Sequence, residues 1–368
     1  MIMNKKILKI ILLIITFLSI FCVTSFAFYW NFKIVNANYV YENNIDVSSV
    51  TIAVIDSGFN YDHEDLQNIN IVYPYNFTDD DTSDISDNHG HGTYVIGFIS
   101  SIYNNNLGSD GLAYGAKIMP LKIYSKYVSP RVADVVKAVD YAITHGADVI
   151  NLSLGLEKDV ESLRNVIYKA YRNGIIVVAS VGNDGKTNLV YPAAYDFVVG
   201  VGSVNSKLEF SYHSRYNSSV FVTAPGELML TTSIPGSDSY SFVSGTSFAA
   251  PHVSALAAVA KAYNKKINCD RFMELLKSTS TDLGEKGYDI YYGYGLIDFK
   301  NFINYMSAFD INYDGAVDTT DILVLKKVLI NIYGELNERT FYASDVDHDG
   351  RISVTDYIYF KRKMIKLV

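Results

Sequence analysis

Cysteine is almost missing from this chain. Its two copies are Cys22 and Cys269, and the first sits in an apolar leader, so the remainder has no second thiol with which to close an internal disulfide. Stability must then come from a buried core and from bound ions. Positive charge is also short, with 31 lysines and arginines against 39 aspartates and glutamates and a formal charge of −8. That balance makes nucleic acid a poor partner. With only seven prolines in 368 residues, no stretch rich in proline and serine marks a linker, so the parts of the chain should lie close together. What is plentiful is apolar side chain, 49% of residues against 19% charged. Such a composition suits a globular chain with one large core and a small extra domain.

Residues 1–27 place Lys5, Lys6 and Lys9 ahead of a long apolar run that ends in small residues at Ser25 and Ala27. This is the make-up of a Sec-type signal peptide. The run is long for such a leader, so a retained N-terminal anchor is the alternative. With the leader removed, no stable membrane insertion is expected, and the mature protein is expected outside the cell.

From Val50 onward, short apolar runs alternate with amphipathic stretches. The runs are VTIAVID (50–56), AKIMPLKI (116–123), ADVINLSL (147–154) and GIIVVASVG (174–182). Between them, residues 129–146 and 159–174 carry apolar side chains at helical spacing and end in glycine. Continuous apolar strands separated by helices predict an α/β fold around a parallel sheet buried on both faces. Polar side chains at the carboxyl ends of those strands become the candidate site. After residues 293–309 the pattern changes to two acidic loops, each followed by a helical stretch. The expected division is a body over 28–303 and a small all-α tail over 304–368, with the boundary near Asn304 to Ala308.

Three stretches carry chemistry. Asp56 closes an apolar strand and precedes Ser57 and Gly58; His91 lies between two glycines before Thr93 and a helical segment; Ser247 stands just ahead of an Ala-rich helix. Taken singly, each has a plainer explanation: a turn-capping carboxylate, a loop histidine and an N-capping hydroxyl. Together they supply an orienting acid, a general base and a nucleophile at the positive end of a helix, and an unassisted hydroxyl needs such a base to attack an amide. The stretches VIDSG, HGT and GTSFAAPH, in the order Asp, His, Ser, make residues 50–299 resemble the subtilisin-like serine proteases. The resemblance implies a three-layer fold with a mostly parallel central sheet. It further implies that Asp56 orients, His91 acts as base and Ser247 attacks. Asn183, in ASVGNDG, corresponds to the family's oxyanion-hole asparagine, and NLSLG to the strand where a peptide substrate adds beside Ser153, Leu154 and Gly155.

His63 and His89 fall outside the HGT triplet and read as loop residues, and His252, after Pro251, reads as helix packing. Two features depart from the family. Tyr94 replaces a second histidine after HGT, which should alter packing beside the base without removing the chemistry. Only 28 residues separate Ala27 from Asp56, where relatives carry a long chaperone-like extension, so the enzyme is expected to fold without one or to start active.

The tail repeats a pattern of oxygen ligands. DINYDGAVDTTD (310–321) offers Asp310, Asn312, Asp314, the Ala316 carbonyl and Asp321, with Gly315 at the turn. DVDHDGRISVTD (345–356) offers Asp345, Asp347, Asp349, the Arg351 carbonyl and Asp356, with Gly350 at the turn. This is the spacing of an EF-hand-like calcium loop. Both loops end in Asp rather than Glu, and no helix of convincing length is expected just before the second, which points away from a calcium sensor. The duplicated loop-helix resembles type I dockerin domains, which plug enzymes into cohesin modules of a scaffold such as the cellulosome. Thr319, Thr320, Lys326 and Lys327, with Val354, Thr355, Lys361 and Arg362 in the second repeat, stand at that family's recognition positions. The expectation is a secreted serine endopeptidase acting on proteins or peptides, held on a cohesin scaffold at or near the cell surface. Its calcium is two ions in the tail, with further ions in the body left open. The alternatives are a free protease whose tail is a calcium staple or cell-surface module, and a catalytically silent binding module.

Overall fold

The computed structural model describes residues 30–367 apart from 79–81, 308, 310, 313–318, 333, 335, 337, 347 and 348. Two short helices, α1 (Trp30–Ile34) and α2 (Asn38–Glu42), lead into β1 (Thr51–Asp56), whose six residues are all buried. There follow β2 (Asn70–Ile71), β3 (Tyr75–Asn76), α3 (His91–Ser100), β4 (Lys117–Lys122), α4 (Val132–Thr144), β5 (Val149–Leu152), α5 (Glu161–Arg172), β6 (Ile176–Ser180), β7 (Val199–Val204) and β8 (Val222–Pro225). Among the described residues these strands form one eight-stranded sheet in the order β2-β4-β1-β5-β6-β7-β8, with β3 also on β4, and every pairing in it is parallel. A hairpin of β9 (Met229–Thr232) and β10 (Tyr240–Val243) stands apart and leads to α6 (Thr246–Tyr263) and α7 (Cys269–Thr279).

Both faces of the sheet are covered, which explains why its strands lack alternation. Ile52 and Val54 of β1 point into a core shared with α3, α6 and α7, while Ala53 and Ile55 point into one shared with α4 and α5. Burying each of the larger side chains, Ile52, Val54 and Ile55, contributes roughly 1.5–3 kcal/mol. The α/β class is therefore as the sequence predicts. Strands β7 to β10 and helix α7 were not anticipated: VGVGSV is as long as β1 but is interrupted by glycine and serine, and VTAP is short and ends in proline.

The tail follows α8 (Phe299–Ser307), which packs on α2 and is tied to Val35 by the Phe299 amide at 2.8 Å. The boundary expected at 303/304 falls inside this helix. Beyond it lie α9 (Thr319–Leu329), α10 (Glu338–Ser344) and α11 (Val354–Leu367), so the regular elements described in the tail are all helices. It has its own small core of Phe309, Ile311, Leu325, Ala343, Val346 and Phe360. Ile311 and Val346, and likewise Leu325 and Phe360, occupy equivalent places in the two repeats. No helix of convincing length was expected before the second loop; a short one stands there, α10, which spans seven residues and ends at Ser344, beside Asp345. Its segment ERTFYAS carries little apolar periodicity, yet Thr340, Ala343 and Ser344 turn inward, so tertiary packing rather than propensity makes it helical.

Candidate active site and tail loops

Asp56 ends β1 with its carboxylate buried and fully engaged. Oδ1 accepts from the Ser57 amide at 2.8 Å, the Tyr124 hydroxyl at 2.8 Å and His91 Nδ1 at 2.9 Å, and Oδ2 lies 3.0 Å from that same nitrogen. An Nδ1–H held by a carboxylate leaves Nε2 of the neutral ring as the free base. Burial pulls the imidazole's pKa down, but the charge and hydrogen bond of Asp56, with the charge of Asp87, outweigh it and hold the pKa above its ordinary value. Burial and the neighbouring Asp56 charge raise the Tyr124 phenol, which stays protonated as a donor.

His91 is the first residue of α3, and Asp87 fixes that helix end. Its Oδ1 accepts from the Gly90 amide at 2.8 Å, the His89 amide at 3.0 Å and the Ser57 hydroxyl at 2.9 Å; its Oδ2 accepts from the Thr93 amide at 2.9 Å and hydroxyl at 2.7 Å. One carboxylate thus satisfies several orphan donors of the helix start. Gly92 is required here because a Cβ would lie 2.1 Å from the Gly58 carbonyl oxygen. Neither Asp87 nor Tyr124 was singled out from the sequence; the signal for Asp87 was its place four residues before a helix-opening histidine.

Ser247 is the second residue of α6. Pro251 stands four residues on and has no N–H, so the Ser247 carbonyl has no helical partner. It accepts instead from the Ser153 hydroxyl at 2.6 Å, which in turn accepts from Asn151 Nδ2 at 2.9 Å, while Asn151 Oδ1 accepts from Ser254 at 2.9 Å. This chain of bonds locks the end of β5 to the start of α6. The Ser247 hydroxyl donates to the Ser153 carbonyl at 3.2 Å, so it is turned toward β5 rather than toward His91. The His91 ring lies 5.3 Å from that of Phe248, beside the start of the helix. In such sites the base–nucleophile bond commonly tightens only with substrate.

Asn183 follows β6. Its Oδ1 accepts from the Thr246 amide at 2.7 Å and hydroxyl at 2.8 Å, which fixes the amide plane and leaves Nδ2 as the outward donor. Gly245, at φ 152°, passes so close that a Cβ would lie 3.3 Å from Nδ2. Ser153, Leu154 and Gly155 follow β5 directly; Ser153 is buried, Leu154 half-buried and Gly155 exposed.

The other histidines have structural places. His63 is buried, with Nε2 donating to the Ser239 carbonyl at 2.7 Å and Nδ1 accepting from the Asp65 amide at 3.1 Å. His89 sets its ring 5.1 Å from that of Tyr124. His252 is buried, bonded to Phe248 and Asn31. Tyr94, three residues after His91, packs on Phe248 at 6.0 Å between rings, and Phe248 in turn lies against the His91 ring.

In the tail, the two loops close in the same way. The Ile311 amide donates to Asp321 Oδ1 at 2.7 Å and the Val346 amide to Asp356 Oδ1 at 2.7 Å. Asp345 accepts from the Asp349 amide at 3.2 Å and the Gly350 amide at 3.0 Å, and Arg351 follows on the same turn. Asp310, Asp314, Ala316 and Asp347 lie outside the described residues, and among those described no group of three or more His, Cys, Asp or Glu side chains is gathered for a metal. A buried aspartate closing each loop nevertheless fits a hard cation held by oxygen. Thr319, Thr320, Lys326, Lys327, Val354, Thr355, Lys361 and Arg362 are all exposed. Lys326 and Lys361, equivalent in the repeats, sit 5.5 and 5.6 Å from the Tyr357 ring.

Residues 48–295 match the family model of the Subtilase family, and residues 308–365 that of the Dockerin type I domain. The chain is similar to the Thermophilic serine proteinase of Bacillus sp. (strain AK1), 34% identical over 268 residues that cover 73% of this chain and 65% of that protein. It is likewise similar to the Minor extracellular protease Epr of Bacillus subtilis (strain 168), 34% identical over 272 residues, 74% of this chain and 41% of that protein. The Major intracellular serine protease of the same strain is 36% identical over 243 residues, 64% of this chain and 75% of that protein. The match thus spans less than two thirds of the first two relatives' length. Among solved structures, the psychrophilic subtilisin-like protease Apa1 from the Antarctic psychrotroph Pseudoalteromonas sp. AS-11 superposes with a TM-score of 0.68 at 20% identity, covering 75% of this chain and 97% of that one. At that identity the likeness speaks for the fold alone.

Proposed function

The chain belongs to the subtilase family and carries a type I dockerin domain, and on that premise we propose that it is a secreted serine endopeptidase held by its tail on a cohesin-bearing scaffold. The observation that carries the catalytic reading is the Asp56–His91 pair at 2.9 Å, set beside the helix start that bears Ser247. Ser247 Oγ attacks the scissile carbonyl as His91 Nε2 takes its proton. Asp56 keeps the proton on Nδ1 and stabilises the imidazolium that forms. The Asn183 Nδ2 and the Ser247 amide donate to the tetrahedral oxygen, worth about 10²–10³ in turnover for one such donor. His91 then passes its proton to the leaving amine, and water repeats the cycle to free the acyl group. The substrate backbone lies beside Ser153, Leu154 and Gly155. Ser247→Ala is expected to abolish peptide hydrolysis with unfolding unchanged; retained hydrolysis would end this reading.

In the tail, calcium when bound supplies the positive charge that lets the crowded carboxylates of each loop coexist. Asp310, Asn312, Asp314, Asp321 and the Ala316 carbonyl would hold it in the first loop; Asp345, Asp347, Asp349, Asp356 and the Arg351 carbonyl would hold it in the second. Each of the two recognition sets, from Thr319 and from Val354 onward, offers an alternative face to the cohesin of a cellulosome-type scaffold, so one remains when the other is damaged. Calorimetry of the calcium-loaded chain against a cohesin panel tests this, and binding to none would leave the tail as a calcium staple.

A further inference from the structure

The turn that carries Asn183 is gripped from below by one buried cation. The Arg215 side chain is 7% exposed. Its Nε donates to Asp184 Oδ1 at 2.6 Å and Nη2 to Asp184 Oδ2 at 2.8 Å, a bidentate fork. Nη2 also donates to Glu157 Oε1 at 2.6 Å, and Nη1 to the Asn188 carbonyl at 3.1 Å. The Arg215 amide donates to the Gly182 carbonyl at 3.1 Å, and a Cβ on Gly182 would lie 2.9 Å from the guanidinium stem. Both chain neighbours of Asn183 are therefore held by Arg215. Glu157, two residues beyond Gly155, is held by the same group. Burial raises the Asp184 carboxyl, but the hydrogen bonds and charges of Arg215 and Lys186 more than reverse it, so the fork is an ion pair at neutral pH.

We infer that Arg215 is a positioning residue for the Asn183 amide, acting through Gly182 and Asp184, and that through Glu157 it sets the spacing between that donor and the strand where substrate adds. Oxyanion donors act only at the position where charge develops, and a shift of about 1 Å can cost about 10²-fold in rate. A planar guanidinium suits this task because it fixes angle as well as charge; a lysine ammonium cannot fork.

The inference rests on the serine-protease reading, and the test separates the two. Turnover per active site, counted by fluorophosphonate titration, is measured for the full chain and for Arg215→Met, Arg215→Lys and Asp184→Asn, each also combined with Asn183→Ala. Arg215→Met and Asp184→Asn are expected to lower kcat about 10–100-fold with KM moved less than about twofold, and Arg215→Lys to recover little. On top of Asn183→Ala, each should cost less than about threefold more, because the donor they position is already gone. A role in stability alone would reduce the number of titratable sites and leave kcat per site intact. Undiminished kcat per site, or losses that add to that of Asn183→Ala, overturns the inference. Asp184 is 33% exposed, so Asp184→Asn carries the test if Arg215→Met does not fold. A parent chain that cleaves no peptide overturns both readings.

Discussion

His252 makes acid stability a sharp test of how α6 is anchored. It lies five residues along the helix from Ser247, fully buried, with Nδ1 donating to the Phe248 carbonyl at 2.9 Å and Nε2 accepting from Asn31 Nδ2 at 3.2 Å. A second ring proton would point at an N–H that has nothing to accept it. Burial pulls the imidazole from 6.5 down to about 3. The unfolded chain therefore takes up a proton below about pH 6.5 that the folded chain refuses until near pH 3. Stability from this group is present above pH 6.5 and is lost as pH falls toward 3. At about 1.36 kcal/mol per pH unit, the loss at pH 4 is about 3 kcal/mol relative to pH 7. His252→Gln removes the titration and keeps a donor and an acceptor. It should be less stable than its parent by about 1–2 kcal/mol at pH 7 and more stable at pH 4. Urea unfolding in a Ser247→Ala background avoids self-digestion. Trp30, the single tryptophan, is buried next to Asn31 and reports the transition. An equal gap between variant and parent at both pH values would refute the reasoning.

Three further outcomes are expected. Asn183→Ala should lower kcat by about 2.7–4 kcal/mol of transition-state stabilisation with KM barely moved, as read by steady-state kinetics; a change confined to KM would make Asn183 a substrate-binding group. Ser153→Ala leaves the Ser247 carbonyl without a partner and should cost about 1–3 kcal/mol in urea unfolding. Adding Pro251→Ala restores an N–H and should recover part of that; no recovery would mean that Pro251 is not what orphans the carbonyl. Chelating calcium should unfold much of the tail, with circular dichroism losing the helix of residues 319–329 and 354–367 and regaining it on calcium addition; an unchanged spectrum would reject the calcium loops.

Strands β1, β4, β5 and β6 were legible because each lies in a continuous, largely apolar run, and the three signatures were legible because close backbone approach forces glycine at fixed places, as at Gly92. What was hidden is what lies between distant segments. Tyr124 and Arg215 act through contacts with residues 68 and 31 positions away, and no local pattern encodes such partners; Asp87, bonded to His89, Gly90 and Thr93 close by, left only a weak local signal. Strands β7 to β10 were hidden for a different reason: β7 mixes valine with glycine and serine, and β8, β9 and β10 have only four residues each, so pairing rather than propensity makes them strands. His252 was legible as packing, but its partner Asn31 was not.

The central claim is that Ser247 is a nucleophile activated by His91. A fluorophosphonate probe reacts only with such a hydroxyl, so the chain is incubated with it, digested and read by mass spectrometry. The account predicts stoichiometric labelling at Ser247 and none in His91→Ala; labelling elsewhere, or none in the parent chain, would contradict it.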